Sequence, residues 1–240
     1  MARKVSWRRA KPLSFRPVTM PGRSATKPPS SWMSTEAWVK STLPRPPARV
    51  LEVGCGDGRL ARALKRRGYD VVAVDPRAPK GAIFRQCRIE DFDEARRFDV
   101  AVAGLALHHV DSLAVVLDRI SGLLLARGRI IVYEFAWDKF DRKTAEWFWT
   151  RRSALKPKIR RRLAGRSAAD SLKKWRRTFD DLHRYPQLRQ ALDRRFATRF
   201  FAWTPYLHEF PGVDTEAHER RAIETGVIQP LGFRYVGQRR

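Results

Sequence analysis

Cysteines and long apolar runs are both scarce in this sequence. Its 240 residues include two cysteines, Cys55 and Cys87, which cannot build the disulfide framework of a small secreted domain, and no CxxC pair suggests a zinc site. The most apolar stretch, VAVAGLALHHV, is interrupted by Gly104 and two histidines and is shorter than the roughly 18–20 residues of a membrane-spanning helix. We therefore expect a cytoplasmic protein without a metal site or a membrane span.

Acidic residues are the other shortage. The chain has 25 Asp and Glu against 50 Lys and Arg, which gives a formal net charge of +25. Residues 1–32 carry eight basic and no acidic side chains, and residues 151–199 carry 17 basic and 4 acidic, whereas residues 33–150 carry 20 and 16. A chain this basic suggests a nucleic-acid partner, but most of the excess lies outside its best-patterned part.

The first 32 residues combine prolines, serines and scattered arginines with almost no apolar periodicity. This composition predicts a basic, disordered tail at 1–32, ahead of one domain over residues 33–240. A translation start at Met20 or Met33 rather than at Met1 would remove part or all of that tail. An organellar presequence is a third interpretation, which the prolines disfavour because they interrupt an amphipathic helix.

From Ser34 onward, short apolar segments rich in Val and Ile alternate with amphipathic helical segments. Seven strands are predicted, at residues 49–54, 70–75, 82–87, 98–104, 128–135, 198–206 and 233–237. Apolar strands that alternate with helices indicate a mostly parallel sheet covered on both faces, with a doubly wound α/β architecture. Only helical patterning occurs from about 137 to 198, which predicts a helical insertion between the fifth and sixth strands.

The sharpest motif is LEVGCGDGRL, where the first strand turns into a helix. Its three glycines permit a tight turn and a close approach of the backbone to a ligand. A dinucleotide fingerprint would need glycine where Arg59 stands, and no Gly-Lys-Ser/Thr follows as a P-loop requires. Two acids accompany the loop. Glu52 lies in an apolar strand and needs a cationic or hydrogen-bonding partner, and Asp75 ends the next strand, where an acid can accept both ribose hydroxyls of an adenosine-like ligand.

In these segments the sequence resembles the small single-domain type of class I S-adenosylmethionine-dependent methyltransferases. LEVGCGDG resembles the family's first motif, VVAVDP its second, RIEDF the segment beside the adenine, and FDVAVAGLALHHV the fourth strand with its following loop. The resemblance covers residues 34–136 well and the closing FRYVG more weakly. It implies a seven-stranded Rossmann-like methyltransferase fold, methyltransferase activity and S-adenosyl-L-methionine as the cofactor.

The same resemblance implies which residues bind the cofactor. They are Glu52, Gly54, Gly56, Asp75, Ile89, Glu90 and Leu105. The glycines would pack against the methionine part and Glu52 would organise its amino-acid end, while Leu105 would lie near the ribose and the sulfur. Many relatives have an acid where this chain has Arg88, so the adenine contact falls either to Glu90 or to backbone groups.

Two histidines, His108 and His109, directly follow the fourth predicted strand, where the carboxyl edge of the sheet opens onto the ligand crevice. A neutral imidazole can act as a general base near pH 7 for an acceptor that must lose a proton, and we place His109 slightly ahead of His108. The alternative is that both histidines only shape the pocket. Weaker candidates for the same crevice are Tyr133, Glu134, Tyr206, His208 and Glu209.

The helical insertion is expected to cover the acceptor. Its candidate pocket residues are Trp137, Phe140, Trp147, Phe148, Trp149 and Trp175, of which at least half are expected to be plain core. The predicted acceptor is a small molecule. The alternative is an RNA or ribonucleoprotein reached through the basic insertion and tail, although no recognised RNA-binding module is present and residues 160–162 also fit a solvated helix face.

Overall fold

The computed structural model describes residues 35–240, so the predicted basic tail at residues 1–32 lies outside the described residues. The first described element is helix α1, at Thr35–Thr42, and the last is strand β7, which ends at Arg239. All seven predicted strands are present, and they form one sheet.

The strand order of this sheet is β3-β2-β1-β4-β5-β7-β6. The strands are β1 (Arg49–Val53), β2 (Asp70–Val74), β3 (Phe84–Arg85), β4 (Phe98–Gly104), β5 (Leu124–Phe135), β6 (Phe196–Thr204) and β7 (Gly232–Arg239). The first five strands pair in parallel, whereas β7 runs antiparallel to both β5 and β6. The predicted doubly wound, mostly parallel seven-stranded fold is therefore confirmed.

Helices cover both faces because the central strands are apolar on both sides. After α1 the helices are α2 (Arg59–Arg66), α3 (Leu113–Leu123), α4 (Arg142–Thr150), α5 (Pro157–Leu163), α6 (Ala168–Phe179), α7 (Tyr185–Arg195) and α8 (Glu216–Glu224). In β1, Leu51 and Val53 belong to the core cluster shared with α3 and α7, and Val50 belongs to the cluster shared with α1 and α2. Such alternation on a sheet buried on both faces leaves Glu52 as a carboxylate surrounded by apolar neighbours.

Helices α4 to α7 all lie between β5 and β6, as the predicted helical insertion requires. Of these, α7 packs against α3 and the sheet, through Leu188 and Leu192. Helices α4 to α6 instead share a third core cluster with the turns at the carboxyl edge of the sheet, centred on Trp175. Most aromatic residues of the insertion therefore lie in a core cluster that is separate from the two clusters on the faces of the sheet.

Two boundaries differ from the sequence prediction. The third strand shrinks to two residues, Phe84–Arg85, because it is an edge strand that pairs with β2 alone. The segment at residues 112–125 has the pattern of one continuous helix, but α3 ends at Leu123, and Leu124 already belongs to β5, where it pairs with Phe98. A continuous apolar run does not by itself separate a helix from a buried strand.

Residues 35–240 contain no helix that combines the length and apolar character needed to cross a bilayer. The same part of the chain has no cluster of three or more His, Cys, Asp or Glu side chains arranged to hold a metal ion. The cytoplasmic location stays a prediction.

Candidate active site

The glycine loop between β1 and α2 lies at the carboxyl edge of the sheet. Its Gly54 N–H donates to the carbonyl of Val74, at the end of β2, over 2.8 Å. All three loop glycines have positive φ: 73° at Gly54, 53° at Gly56 and 72° at Gly58. L-residues other than glycine are strained in this conformation, so the loop depends on glycine for its shape.

The three glycines differ in what surrounds them. A Cβ at Gly54 would lie 2.5 Å from the Cβ of Ala106, and one at Gly58 would lie 2.5 Å from the ring of Phe84. A Cβ at Gly56 would meet no described atom within 4 Å. Gly54 and Gly58 are thus required by packing within the protein, whereas the open space beside Gly56 is where a ligand can approach the backbone.

Asp75 braces this loop from the end of β2. Its Oδ2 accepts from the Gly56 N–H at 3.1 Å, and its Oδ1 accepts from the Arg77 N–H at 2.7 Å. Each carboxylate oxygen has two lone pairs, so a half-buried Asp75 can still accept from two ligand hydroxyls. Asp75 directly follows β2, and the structure places it beside Gly56.

Glu52 is buried beneath the loop, and its Oε2 has no hydrogen-bond partner among the described residues. Burial raises the pKa of Glu52 to about 8 against a hydrogen bond from the Ala61 backbone, and repulsion from Asp57 and Asp75 adds to the rise. An unsatisfied buried carboxylate is costly, and a cationic ligand group placed beside it would remove that cost. The side chain therefore fits the ammonium group of an amino-acid ligand.

The predicted adenine segment follows β3. Ile89 is buried in the core, and the Glu90 carboxylate accepts from the Arg88 guanidinium at 2.7 Å. Arg88 also donates to Asp111 at 2.7 Å. Arg88, which stands where many relatives have an acid, thus links Glu90 to Asp111. The Ile89 side chain can flank a planar ring only through its small exposed part.

Leu105 directly follows β4 and has a left-handed backbone conformation, with φ 54°. Its N–H donates to the carbonyl of Tyr133 in β5 at 2.8 Å, which holds this backbone in place. A leucine in this region of φ/ψ space is strained, and such strain concentrates at functional sites. The next residue, Ala106, is the one that packs on Gly54, so the loop after β4 directly contacts the glycine loop.

Glu134 organises the turn that carries both candidate histidines. The side chain is fully buried; its Oε1 accepts from the N–H groups of Ala106 at 2.9 Å and Leu107 at 2.6 Å. Its Oε2 accepts from the Phe135 N–H at 3.1 Å and from Nδ1 of His108. Burial alone would raise the pKa of Glu134, but the charge and hydrogen bond of His108 and the backbone donors outweigh it and lower the pKa.

A carboxylate that accepts from Nδ1 fixes the proton on that atom and leaves the lone pair of a neutral imidazole on Nε2. His108 is nearly buried, and no described residue hydrogen-bonds its Nε2. His109 is partly exposed, and no carboxylate within residues 35–240 hydrogen-bonds its ring. Partial burial and the neighbouring His108 lower the pKa of His109 to about 4, which weakens it as a base. The geometry therefore favours His108 over His109.

A second turn, after β6, repeats this arrangement. The buried Glu219 of α8 accepts from the N–H groups of Tyr206, Leu207 and His208 at 2.7–2.8 Å and from Nδ1 of His208 at 2.8 Å. Glu219 was missed in the sequence. A signal was present, because Glu219 and the buried Ala222 are three residues apart on one face of α8.

Tyr206, a weaker candidate in the sequence, lies between the two turns. Its ring stacks on Phe135 with centroids 4.2 Å apart and lies 6.4 Å from the ring of Tyr133. Burial, together with the charges of Glu209 and Glu134, raises the pKa of Tyr206 above its usual range. Its phenol therefore stays neutral and can donate a hydrogen bond to a ligand.

The loop after α6 fastens the helical segment to the His108 turn. The N–H of His183 donates to the carbonyl of His108 at 3.1 Å, and its Nε2 bonds the carbonyl of Val110 at 2.8 Å. The indole of Trp137 donates to the carbonyl of Leu182 at 3.3 Å. His183 carries no motif around it, so this link could not be predicted from the sequence.

Most aromatic residues of the insertion are core rather than free pocket wall. Trp137, Phe140, Trp147, Phe148 and Trp175 are all buried in the third core cluster. The Trp175 ring stacks on Phe140 with centroids 4.0 Å apart, and its indole donates to the Trp137 carbonyl at 2.9 Å. Of the six predicted pocket residues, only Trp149 is half-buried.

Comparison with known proteins agrees with this geometry. A family described as a methyltransferase domain matches residues 35–196. A ubiquinone biosynthesis O-methyltransferase of Bradyrhizobium diazoefficiens is 33% identical over 97 residues, which cover 35% of this chain and 38% of that protein. An uncharacterised methyltransferase of Mycobacterium bovis is 32% identical over 115 residues, 42% of this chain and 57% of that protein. The chain thus spans well under two thirds of either curated relative.

Among solved structures, an S-adenosylmethionine-dependent methyltransferase from Mesorhizobium loti superposes with a TM-score of 0.54 at 18% identity, covering 85% of this chain and 98% of that chain. At this identity the likeness concerns the fold, which is the fold of class I methyltransferases. The chain belongs to the methyltransferase domain family. It therefore carries a methyltransferase domain.

Proposed function

We propose that the protein methylates a hydroxyl group of a small molecule, with His108 as the general base. The pair of His108 and the buried Glu134 carries this proposal, because a methyl acceptor needs a base only when it must lose a proton. The name of the Bradyrhizobium relative, an O-methyltransferase, supports an oxygen acceptor.

The cofactor contacts are part of the proposal. Glu52 would accept from the ammonium group of the methionine part, because its Oε2 has no other partner among the described residues. Gly56 would let the backbone approach the ligand, and Asp75 would accept from the ribose hydroxyls. Ile89 and Glu90 would flank the adenine, although the bond from Arg88 leaves Glu90 fewer free lone pairs. Leu105, next to Ala106, would lie near the reacting sulfur.

When bound, S-adenosyl-L-methionine supplies a methyl group activated on a sulfonium. The protein aligns the acceptor oxygen with that carbon and excludes water. During the transfer, Nε2 of His108 would accept the proton that the acceptor hydroxyl loses. Glu134 stabilises the imidazolium that results, and the neutral phenol of Tyr206 can orient the acceptor.

Cofactor binding should release a proton from Glu52. With a pKa of about 8, the free protein holds most of that proton at pH 7, and an ammonium beside the carboxylate lowers its pKa. Calorimetry in buffers of different ionisation enthalpy measures this release. We expect it in the wild type and not in Glu52→Gln, and equal proton counts in both proteins would contradict the assignment.

A matched pair of glycine variants tests the loop. Gly56 and Gly226 both have positive φ, and a Cβ at either would meet no described atom within 4 Å. Gly56→Val and Gly226→Val therefore carry a similar backbone strain, but only the first fills the proposed ligand space. Of the two valine variants, we expect only Gly56→Val to abolish cofactor binding measured by calorimetry. Asp75→Ala should abolish it as well. Equal binding by both valine variants would remove Gly56 from the site.

The acceptor class is tested by supplying methyl-labelled cofactor to a desalted host extract, with the Gly56→Val chain as the blank. Label in small molecules supports the proposal. Label in RNA would replace it with the alternative predicted from the basic insertion, and label in protein would replace it with a protein acceptor.

A further inference from the structure

The outer side of α5 and α6 is strongly basic. No Asp or Glu occurs between residues 147 and 169. We call the exposed cations of this region the basic face: Lys156, Lys158, Arg160, Arg161, Arg162, Arg166, Lys173, Arg176 and Arg177.

The cations of the basic face lack acidic partners within residues 35–240, although Arg162 lies over the ring of Phe179 at 5.8 Å. Exposed arginines elsewhere in that range are often paired, for example Arg96 with Asp70 at 2.9 Å and Arg119 with Asp93 at 3.5 Å. The remaining charge of the basic face is therefore uncompensated by the described protein.

The two helices present these cations together. Ile159 and Leu163 of α5 and Trp175 of α6 face the same core cluster, so the opposite sides of both helices face solvent. On α6, Lys173, Arg176 and Arg177 recur at spacings of three and four and form one stripe. The acid in the first turn of α6, Asp170, turns inward to accept from the Arg166 N–H at 2.9 Å.

The neighbouring aromatic rings are already covered. Arg151 lies over Trp147 at 3.8 Å and Arg152 over Trp149 at 3.6 Å. The Trp149 indole also donates to the Gly165 carbonyl at 3.3 Å. Trp147 is buried and an arginine occupies one face of Trp149, so the surface can contact phosphates but offers little for stacking with bases or for reading a sequence.

We propose that the basic face binds a double-helical nucleic acid through its phosphates. Helix α6 is about 18 Å long, and a duplex carries one phosphate charge per roughly 1.7 Å of its axis, so several phosphates lie within reach of the stripe. Six of the nine cations are arginines, whose planar guanidinium groups match phosphate oxygens in pairs.

An anionic lipid bilayer is the competing occupant. Amphipathic helices that bind bilayers insert an apolar face below the headgroups. The apolar sides of α5 and α6 are instead packed in the core, and the exposed large apolar residues within 35–240, Val115, Leu125 and Val227, lie on other elements. The structure thus favours a partner that is bound by charge alone.

The test uses the full chain, a fluorescent 20-base-pair duplex of mixed sequence as RNA and as DNA, and anisotropy at several salt concentrations. The variant carries Arg160→Gln, Arg161→Gln, Arg176→Gln and Arg177→Gln. Its matched control carries Arg66→Gln, Arg67→Gln, Arg127→Gln and Arg129→Gln, which remove the same charge from exposed positions on α2 and β5. Thermal unfolding checks that both are folded.

We expect wild type and control to bind both duplexes with similar, steeply salt-dependent affinity. The variant should bind at least tenfold more weakly, with a slope of log K against log salt smaller by about 2 to 4, since each lost phosphate contact changes that slope by about 0.9. Equal losses in variant and control would overturn the proposal, because binding would then follow net charge alone. Absence of duplex binding, or capture by phosphatidylglycerol vesicles without duplex binding, would also overturn it.

Discussion

Two turns at the carboxyl edge, Leu107–His109 after β4 and Leu207–Glu209 after β6, are built alike. Each contains a buried leucine followed by a histidine, and each is held by one fully buried glutamate that accepts three backbone N–H groups and the Nδ1 of that histidine. They differ at the other ring nitrogen. Nε2 of His208 lies 3.6 Å from Glu209 and 4.0 Å from Glu216, whereas within residues 35–240 His108 forms an ion pair with Glu134 alone.

This difference shows how one local arrangement serves two purposes. Surrounded by carboxylates, His208 belongs to an ion-pair network that fixes the turn beneath Tyr206. His108 has one carboxylate, on Nδ1, which leaves Nε2 for a reacting group. A histidine with a buried carboxylate partner is therefore a candidate base only where its second nitrogen is free.

The largest expected effect separates the two histidines directly. His108→Ala should lower kcat for the identified acceptor by about 10²–10⁴-fold, since it removes the base, whereas His208→Ala should lower it by less than about tenfold. The measurement is steady-state kinetics, with cofactor affinity by calorimetry as the control. Similar losses in both variants would show that neither histidine acts chemically.

Replacing either of the two glutamates should lower the free energy of unfolding by a similar amount. Glu134→Gln and Glu219→Gln each place an amide where backbone donors need an acceptor, and each should lose about 2–4 kcal/mol of unfolding free energy in denaturant titration. Only Glu134→Gln should also lose methyl transfer at a temperature where both variants are folded. Full activity in Glu134→Gln would contradict the proposed role of Glu134 as the partner of the base His108.

A smaller effect is expected at His183, which ties the first turn to the helical segment and has no counterpart at the second. His183→Ala removes one hydrogen bond to Val110, worth about 1 kcal/mol, so kcat should fall about fivefold. His183→Gln, which can donate to the same carbonyl, should restore most of it. The cofactor Kd should not change, and a change there would point to a general loss of structure.

The smallest effect is the pH dependence of the second turn. Burial alone would lower the pKa of His208, but the hydrogen bond and charge of Glu219, with the charges of Glu209 and Glu216, raise it. Its stabilisation is complete below the unfolded pKa and is lost as the pH rises through the folded value. The unfolding free energy of wild type should exceed that of His208→Gln by more at about pH 5.5 than at about pH 8.5. An equal difference in unfolding free energy at both pH values would contradict the ion pair assigned to His208.

Sequence reasoning predicted the doubly wound, mostly parallel sheet and the glycine loop because the patterns for these features lie in contiguous residues. It placed β3 and the end of α3 less well, since an edge strand and an uninterrupted apolar run leave the boundary to tertiary pairing. It ranked His109 ahead of His108, because neighbours in sequence give no indication of which ring a distant carboxylate will orient. It named six insertion aromatics as pocket candidates and expected at least half of them to be core, and the structure buries five of the six.

By itself, the sequence determined the class of this protein: the glycine loop with Glu52 and Asp75 follows from local backbone geometry, and these residues lie within the span that the family matches. The tertiary structure alone decided which histidine is paired with Glu134, which glycine faces open space, and which cations of the basic excess are left without partners. Those outcomes depend on contacts between residues far apart in the chain, where burial and the need to satisfy every buried polar group select the partners.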